Sequence, residues 1–332
     1  MTAYDLVTVG RINMDLFSRD VGAEFADITG FDAMVGGSPT NIAIGTSRLG
    51  LSSAALTAVG DDRVGDFVLR YLRDEQVETA YIPRIAGKLT SLALLGVQPP
   101  SHFPLSFYRE DPADIYVSVD HVDAVPWDAV RALQLSGNAL SRGPCADATR
   151  HAAETGRLLG LTTFLDLDLR PVEWTHPKAF GVAMRSVFPL VDVVIGTEEE
   201  FHAALMPDPG AVMAGGQVRA EDHAELDERV ADILAHGVSA IALKRGSRGV
   251  SILLPDHVLD VEGFAVDVVN TVGAGDAFAS GLIRSRLGGD DWRIAARFAN
   301  ACGAIVVTRH GCSRAFPTEA EVSAFAESRG GL

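Results

Sequence analysis

Asn270-Thr-Val-Gly273-Ala274-Gly275-Asp276-Ala-Phe-Ala-Ser-Gly281 is the stretch on which the reading of this chain turns. Before it, Val266 to Val269 are apolar and β-branched apart from Asp267, which places the glycines just past a strand end. After it, Asp276 to Leu287 set Phe278, Leu282 and Ile283 near one face, which predicts a helix. Gly273-Ala274-Gly275 therefore falls where a helix begins. The first N–H groups of a helix lack partners inside it, and the helix dipole adds partial positive charge there. Glycines let such a backbone approach a ligand closely, so the turn suits a phosphate. Asp276 is out of place in a pure anion cradle. It fits a site that takes a proton from a hydroxyl attacking that phosphate. A carboxylate in a first turn also stabilises a helix dipole with no chemistry at all, so these residues alone leave both readings open.

The composition narrows the classes. The chain has 332 residues, 47% of them apolar, which is ample for a core and excludes disorder as the default. Net charge is −16, and lysine occurs only at Lys88, Lys178 and Lys244. With no basic block, neither nucleic acid nor an anionic membrane is expected as a partner. Cys145, Cys302 and Cys312 are odd in number and lack C-x-x-C spacing, so neither a disulfide framework nor a zinc site is indicated. No apolar run approaches ~18 residues and no signal-peptide order is seen, so a soluble cytoplasmic protein is expected.

Outward from the glycines, the pattern alternates. Asp5 to Gly10 is a short buried-type strand, followed by Asn13 and Asp15. Gly36-Gly37-Ser38-Pro39-Thr40-Asn41 opens a helix that stops at Leu49-Gly50; Ser38 and Pro39 explain its start, whereas paired glycines suggest a backbone approaching something closely. Ala54 to Val59 is a strand, and Asp61 and Asp62 cap a helix running to Arg73. Residues 81–118 read as extra strands outside the β–α order. From about residue 130 strands are expected at 133–135, 162–166, 191–195 and 240–243, and helices at 147–159, 177–188 and 222–236. Thr197-Glu-Glu-Glu200 opens a further helix, 207–220 is a mobile loop, 250–254 and 258–261 form a hairpin, and further helices are expected at 291–307 and 318–325. This argues an α/β fold with a doubly wound, mostly parallel sheet, whose ligands bind beyond the carboxyl ends of the strands. Gly87-Lys88-Leu89 fails the G-x-x-x-x-G-K-[ST] pattern, and Phe278 stands where a dinucleotide fingerprint needs a third small residue. Nine scattered histidines offer no zinc pattern, and no G-x-S-x-G elbow occurs.

Two stretches carry a family resemblance. Gly36-Gly-Ser-Pro-Thr-Asn-Ile-Ala-Ile-Gly45 and Asn270 to Gly281 resemble the N-terminal and C-terminal signatures of the ribokinase-like (PfkB) sugar kinases, in the expected order. The resemblance implies one ribokinase-like domain over 1–332, with a small β lid at about 11–36 and 81–118 that closes over the acceptor and often forms a homodimer contact. It implies ATP and Mg2+ as cofactors, Asp276 as the base, and Gly273, Ala274 and Gly275 as donors to the transferring phosphoryl group. It also implies Asp15, Gly36, Gly37 and Asn41 on the acceptor, with Lys244, Gly246 and Gly249 beside the nucleotide. The family's N-x-x-E motif is Gly196-Thr-Glu-Glu199 here: the Asn is missing, Glu199 remains, and Glu200 stands beside it as a second magnesium candidate, both through water. The family often holds a monovalent cation, K+, near the base; Asn270 replaces the usual Asp of that site. Tyr108-Arg-Glu-Asp-Pro-Ala-Asp-Ile-Tyr116 and Asp166-Leu-Asp-Leu-Arg-Pro171 resemble the branch that acts on keto-deoxy sugar acids, which implies that Arg109 and Arg170 hold a substrate carboxylate. A guanidinium suits that group; as surface ion pairs the same arginines would be worth little.

Overall fold

The structure, a computed structural model, describes residues 3–98 and 103–332; the part of the expected lid strands at 99–102 lies outside them. The strands are β1 (Tyr4–Val9), β2 (Asn13–Ser18), β3 (Phe31–Gly36), β4 (Ser53–Leu56), β5 (Val59–Gly60), β6 (Arg84–Ile85), β7 (Ser91–Leu95), β8 (Leu105–Tyr108), β9 (Val130–Ser136), β10 (Thr162–Asp166), β11 (Val193–Thr197), β12 (Ala240–Lys244), β13 (Val250–Leu253) and β14 (Val258–Val261). The helices are α1 (Ser38–Arg48), α2 (Arg63–Asp74), α3 (Val119–Asp123), α4 (Gly143–Leu159), α5 (Ala179–Val187), α6 (Glu198–Leu205), α7 (Gly210–Met213), α8 (His223–Asp232), α9 (Ala274–Leu287), α10 (Trp292–Val307) and α11 (Glu319–Glu327).

Eight strands form one sheet in the order β14-β13-β12-β11-β10-β9-β1-β4. It is parallel from β12 to β4, and β13 and β14 complete it as an antiparallel hairpin. Parallel strands are covered on both faces, which is why β11 and β12 read as near-continuous apolar runs. One face packs Leu133, Leu135, Leu165 and Val194 with Phe180 and Phe201. The other packs Phe164, Ile195 and Ala242 with Phe278, Leu282 and Ile283 of α9. A second sheet, β3-β2-β7-β8, lies in the segments expected to form a lid, with β2 and β7 parallel.

Small residues set the height of α9. A Cβ on Gly45 would lie 2.3 Å from the Ser280 hydroxyl, and one on Gly281 would lie 2.8 Å from the Cys302 sulfur. Helices α1 and α10 thus grip α9 from two sides at backbone distance, and this contact brings Asn41 of α1 to Asp276.

Several boundaries differ from expectation. Val266 to Val269 is not a strand: its residues are half-buried or exposed, and the Val269 and Asn270 N–H groups donate to the Val307 carbonyl at the end of α10. The glycine turn is hung from a helix end, and an apolar β-branched run with nothing to pair with stays irregular. Helix α4 starts four residues early, at Gly143-Pro144, because proline is favoured in a first turn. The expected 222–236 helix splits into α8 and a 3-10 turn at Ile233–His236, and α7 sits within the expected loop at 207–220.

Candidate active site

The site collects at the carboxyl edge of the large sheet. In the parallel register Asp166 of β10 lies level with Ser136 of β9 and Ile195 of β11, and Thr197 lies level with Lys244. The segments just past these strand ends therefore converge on one line.

Helix α9 begins there, with Gly273 as its N-cap at φ 86°, a conformation that costs a side-chain-bearing residue. A Cβ at Gly273 would also meet the Cys312 sulfur at 2.7 Å. Among the described residues the Gly273 and Gly275 N–H groups have no backbone acceptor, while that of Ala274 makes a 3.3 Å bond to the Thr271 carbonyl. Lys244 closes the other side: a Cβ on Gly275 would come 3.3 Å from its ammonium. That ammonium lies 3.5 Å from Asp166 and 3.8 Å from Glu200. Burial works against its charge, but Asp166, Glu200 and Asp276 outweigh burial and hold it protonated. Free amides and a fixed cation face one spot, which suits a phosphoryl group.

Asp276 is half-buried, and its Oδ2 accepts a 2.8 Å hydrogen bond from Asn41 Nδ2. Burial, then the charge on Asp168, push its carboxyl above the ordinary value; Asn41, Ser38 and Arg170 pull the other way. A base shifted toward neutrality is better matched to taking a proton from a hydroxyl. Asp15 belongs to the same cluster. It is buried, hydrogen-bonded by Asn13, and pushed up to about 7 by burial first, with Arg11 opposing and Asp276 adding to the shift. Gly36 lies flat against it, since a Cβ there would fall 2.1 Å from its carboxylate. Gly37, at φ 102°, would run its Cβ into the Arg11 carbonyl at 2.6 Å. The paired glycines thus let β3 and α1 close onto β2.

The structure brings Asp15, Gly36, Gly37, Asn41, Lys244 and Gly273 to Asp276 together. It also recruits residues the sequence reading passed over. Asp166 accepts from Ser38 Oγ at 2.9 Å. Asp168, held at φ 39°, accepts from Ser136 Oγ at 2.8 Å and pairs with Arg170 at 2.9 Å. Arg11 lies 3.8 Å from the same Asp168. The signal available was the Asp166-Leu-Asp168 spacing at a strand end, where alternate residues share a face.

Arg109 departs from expectation. Its side chain is 4% exposed, Nη1 donates to Asp114 at 2.6 Å and to Ser91 at 3.2 Å, and Nε donates to Glu173 at 2.9 Å. Two carboxylates already hold its Nε and Nη1, so it ties β8 to the Pro171–Glu173 turn. Arg170 differs, with 36% of its side chain exposed beside Asp168. Gly249 is explained by the β12–β13 turn, because a Cβ there would fall 2.1 Å from the Val261 carbonyl; Gly246, at φ 59°, lies in the same turn and opens to space.

Glu200 caps α6: its Oε2 accepts from the Thr197 N–H at 2.7 Å, and its Oε1 accepts from the Leu169 N–H at 3.1 Å. Glu199 makes no hydrogen bond or ion pair among the described residues, and no cluster of three or more metal-ligating side chains occurs among them. The free Glu199 carboxylate fits Mg2+, which keeps several waters and takes its remaining ligands from substrate phosphates; both Glu200 oxygens already accept, so Glu200 fits only through water. No helix among the described residues is long and apolar enough to cross a membrane.

A doubly wound sheet with an amide cradle, a half-buried lysine and a half-buried carboxylate at one edge suits the transfer of a phosphoryl group. The pfkB family carbohydrate kinase model matches residues 3–319, and the chain belongs to that family. It is therefore an ATP-dependent phosphotransferase acting on a sugar hydroxyl. It is 33% identical over 327 residues to a 5-dehydro-2-deoxygluconokinase from Bacillus anthracis, covering 98% of this chain and 95% of that one. A protein of the same name from Listeria innocua is 29% identical, covering 97% and 95%. Among solved structures, a fructokinase from Vibrio cholerae with fructose, ADP and calcium superposes with a TM-score of 0.80 at 26% identity, over 97% of this chain and 99% of that one. An E. coli protein described as a ribokinase II, with ATP and Mg2+, gives 0.85 at 24%, over 98% and 99%.

Proposed function

We propose that this kinase phosphorylates the terminal primary hydroxyl of a keto-deoxy sugar acid, 5-dehydro-2-deoxy-D-gluconate, in the breakdown of myo-inositol. The observation that carries the acid is Arg170, a guanidinium tethered to Asp168 and still part-exposed next to Asp15 and Asp276. The names of the relatives point the same way. Asp276 takes the proton of the attacking hydroxyl, whose oxygen then bonds to the γ-phosphorus as the bond to ADP breaks. The Gly273 and Gly275 amides and Lys244 face the charge on the transferring group, with Ala274 turning toward it once its long bond to Thr271 is released. When bound, Mg2+ supplies charge neutralisation at the phosphates, held through water by Glu199 and Glu200. Asp15 and Asn41 orient the acceptor's hydroxyls, with Gly36 and Gly37 letting β3 and α1 close in beside them. Arg109 acts from behind, fixing β8 and the turn that leads from Arg170. The β3-β2-β7-β8 sheet covers the acceptor and keeps water from competing. Its exposed Leu105 and Tyr108 on β8 support pairing with a second copy.

A neutral acceptor such as fructose is the competing reading, favoured by the closed Arg109 pairs. The test is ADP release over a panel holding 5-dehydro-2-deoxy-D-gluconate, 2-keto-3-deoxy-D-gluconate, D-fructose and D-ribose. The first should give the highest kcat/KM; preference for a neutral sugar would discard the acid. In Asp276→Asn, kcat should drop by orders of magnitude while ATP still binds, and near-normal turnover would remove the base.

A further inference from the structure

Arg11 is the most poorly compensated cation in the site. It lies just past β1 and is 5% exposed. Its Nε is buried with no hydrogen-bond partner. Among the described residues its one ion pair is to Asp168 at 3.8 Å, and the oxygen it faces already accepts from Ser136 at 2.8 Å. The other Asp168 oxygen holds Arg170 at 2.9 Å. Two guanidiniums thus share one carboxylate. Burial disfavours charge on Arg11; Asp168 and, more weakly, Asp15 offset this in part, and Arg170 and Arg109 add repulsion. A cation left in that state is costly to keep, and a ligand anion removes the cost.

Its position is equally specific. The Arg11 carbonyl is what a Cβ on Gly37 would strike, so the residue is locked against the acceptor turn. Its guanidinium lies 5.7 Å from the Phe107 ring of β8, on the smaller sheet. On its other side, toward Asn138 and Asp114, there is a cavity of only about 10 Å³, room for no more than a water. That side has no room for an organic anion. The same electrostatic cluster runs from Arg11 through Asp15 to Asp276. Asp15 feels the charges of Arg11, Asp276 and Arg170, so these four side chains face one space.

We propose that Arg11, with Arg170, forms the subsite that binds the acceptor's carboxylate, Arg11 being the buried half that selects acids over neutral sugars. This rests on the sugar-acid reading of the site. The Nε donor and the shared Asp168 leave one guanidinium fork free for one carboxylate, the pairing geometry that arginine favours.

The test compares wild type, Arg11→Met and Arg11→Lys on 5-dehydro-2-deoxy-D-gluconate and D-fructose, with the melting temperature of each free protein. Removing one partner of a desolvated charge pair should raise KM for the acid and cut the acid-to-neutral ratio of kcat/KM by roughly 30-fold or more in Arg11→Met. The free Arg11→Met protein should melt no lower than wild type, since an under-paired buried charge has gone. Arg11→Lys, which keeps the charge and loses the fork, should cut the ratio by about 10-fold. An unchanged ratio in either variant overturns the proposal, as does a proportional loss on both acceptors with a lower melting temperature, which marks a structural arginine. A wild type with no preference for the acid sinks the sugar-acid reading itself, and Arg11 falls with it; that result is read without any variant.

Discussion

Replacing Asn41 by alanine should move the acid limb of the pH–rate profile upward. Asp276 works as a base only when ionised, and its carboxyl already stands above the ordinary value because burial and Asp168 disfavour the anion. The 2.8 Å hydrogen bond from Asn41 Nδ2 is the first of the interactions that favour the anion. A hydrogen bond to a charged group contributes about 1.5–3 kcal/mol, and 1.36 kcal/mol corresponds to one pKa unit. Asp276 is half-buried, so water recovers part of the loss and the lower end of that energy range is expected, with the limb moving to higher pH. Asn41 also faces the acceptor, so the height of the profile changes as well; the position of the limb is the quantity to read. The assay is kcat/KM for the acceptor at saturating ATP from pH 5 to 9, which reports groups on the enzyme before the acceptor binds. The variant should lose most at the acid end of the range and approach its plateau at the alkaline end. A limb at the wild-type position, or below it, would refute the claim that Asn41 holds Asp276 ionised.

Three further outcomes are expected. Asp15 has a folded-state value of about 7 against an ordinary 3.8, so its ionisation weakens the fold as pH rises from about 4 to about 7, by up to about 4 kcal/mol; Asp15→Asn should raise the urea midpoint at pH 8 and leave it unmoved at pH 4, and equal gains at both would refute the assignment. In Gly36→Ala the new methyl falls 2.1 Å from the Asp15 carboxylate, so a loss of about 1–3 kcal/mol and a raised acceptor KM are expected, with nucleotide affinity by calorimetry unchanged. Lys244→Met leaves Asp166 and Glu200 without their cation and should lower kcat by about 10²–10³ while weakening ATP binding, and full ATP affinity in that variant would take Lys244 out of the phosphate site.

Elements whose signals are local were the ones the sequence disclosed. The hairpin β13–β14, the α1 start at Ser38-Pro39, the Asp62 cap of α2 and the Thr197–Glu200 capping box each depend on residues within a few positions of one another. Where an element depends on a partner elsewhere, sequence reasoning failed. Val266 to Val269 has the composition of a strand, but no sheet edge lies beside it, and its N–H groups go to the end of α10 instead. The helical run expected to end at His236 does end there, before Gly237 at φ 94°, but its last turn tightens to a 3-10 turn over Ile233–His236, which periodicity does not register.

The same divide runs through the site. Asp276 and its glycines were visible because one turn contains both the amides and the base. Arg109 and Arg170 looked equivalent, each an arginine in a motif with an aspartate nearby. What separates them is three-dimensional: Arg109 meets Asp114 and Glu173, two carboxylates that lie five and 64 residues away, whereas Arg170 shares Asp168 with Arg11, a residue from the first strand's end. Counting charges along the chain cannot tell a satisfied guanidinium from a needy one, because the count changes with each partner the fold supplies. The distinction matters for chemistry as well as for packing. A buried arginine braced by two carboxylates is a strut, and its removal should cost stability. An under-paired one is a receptor held at the protein's expense, and its removal should cost recognition. Thermal melts and acceptor selectivity, measured side by side on Arg109→Met and Arg11→Met, should therefore move in opposite columns, stability falling in the first and selectivity in the second.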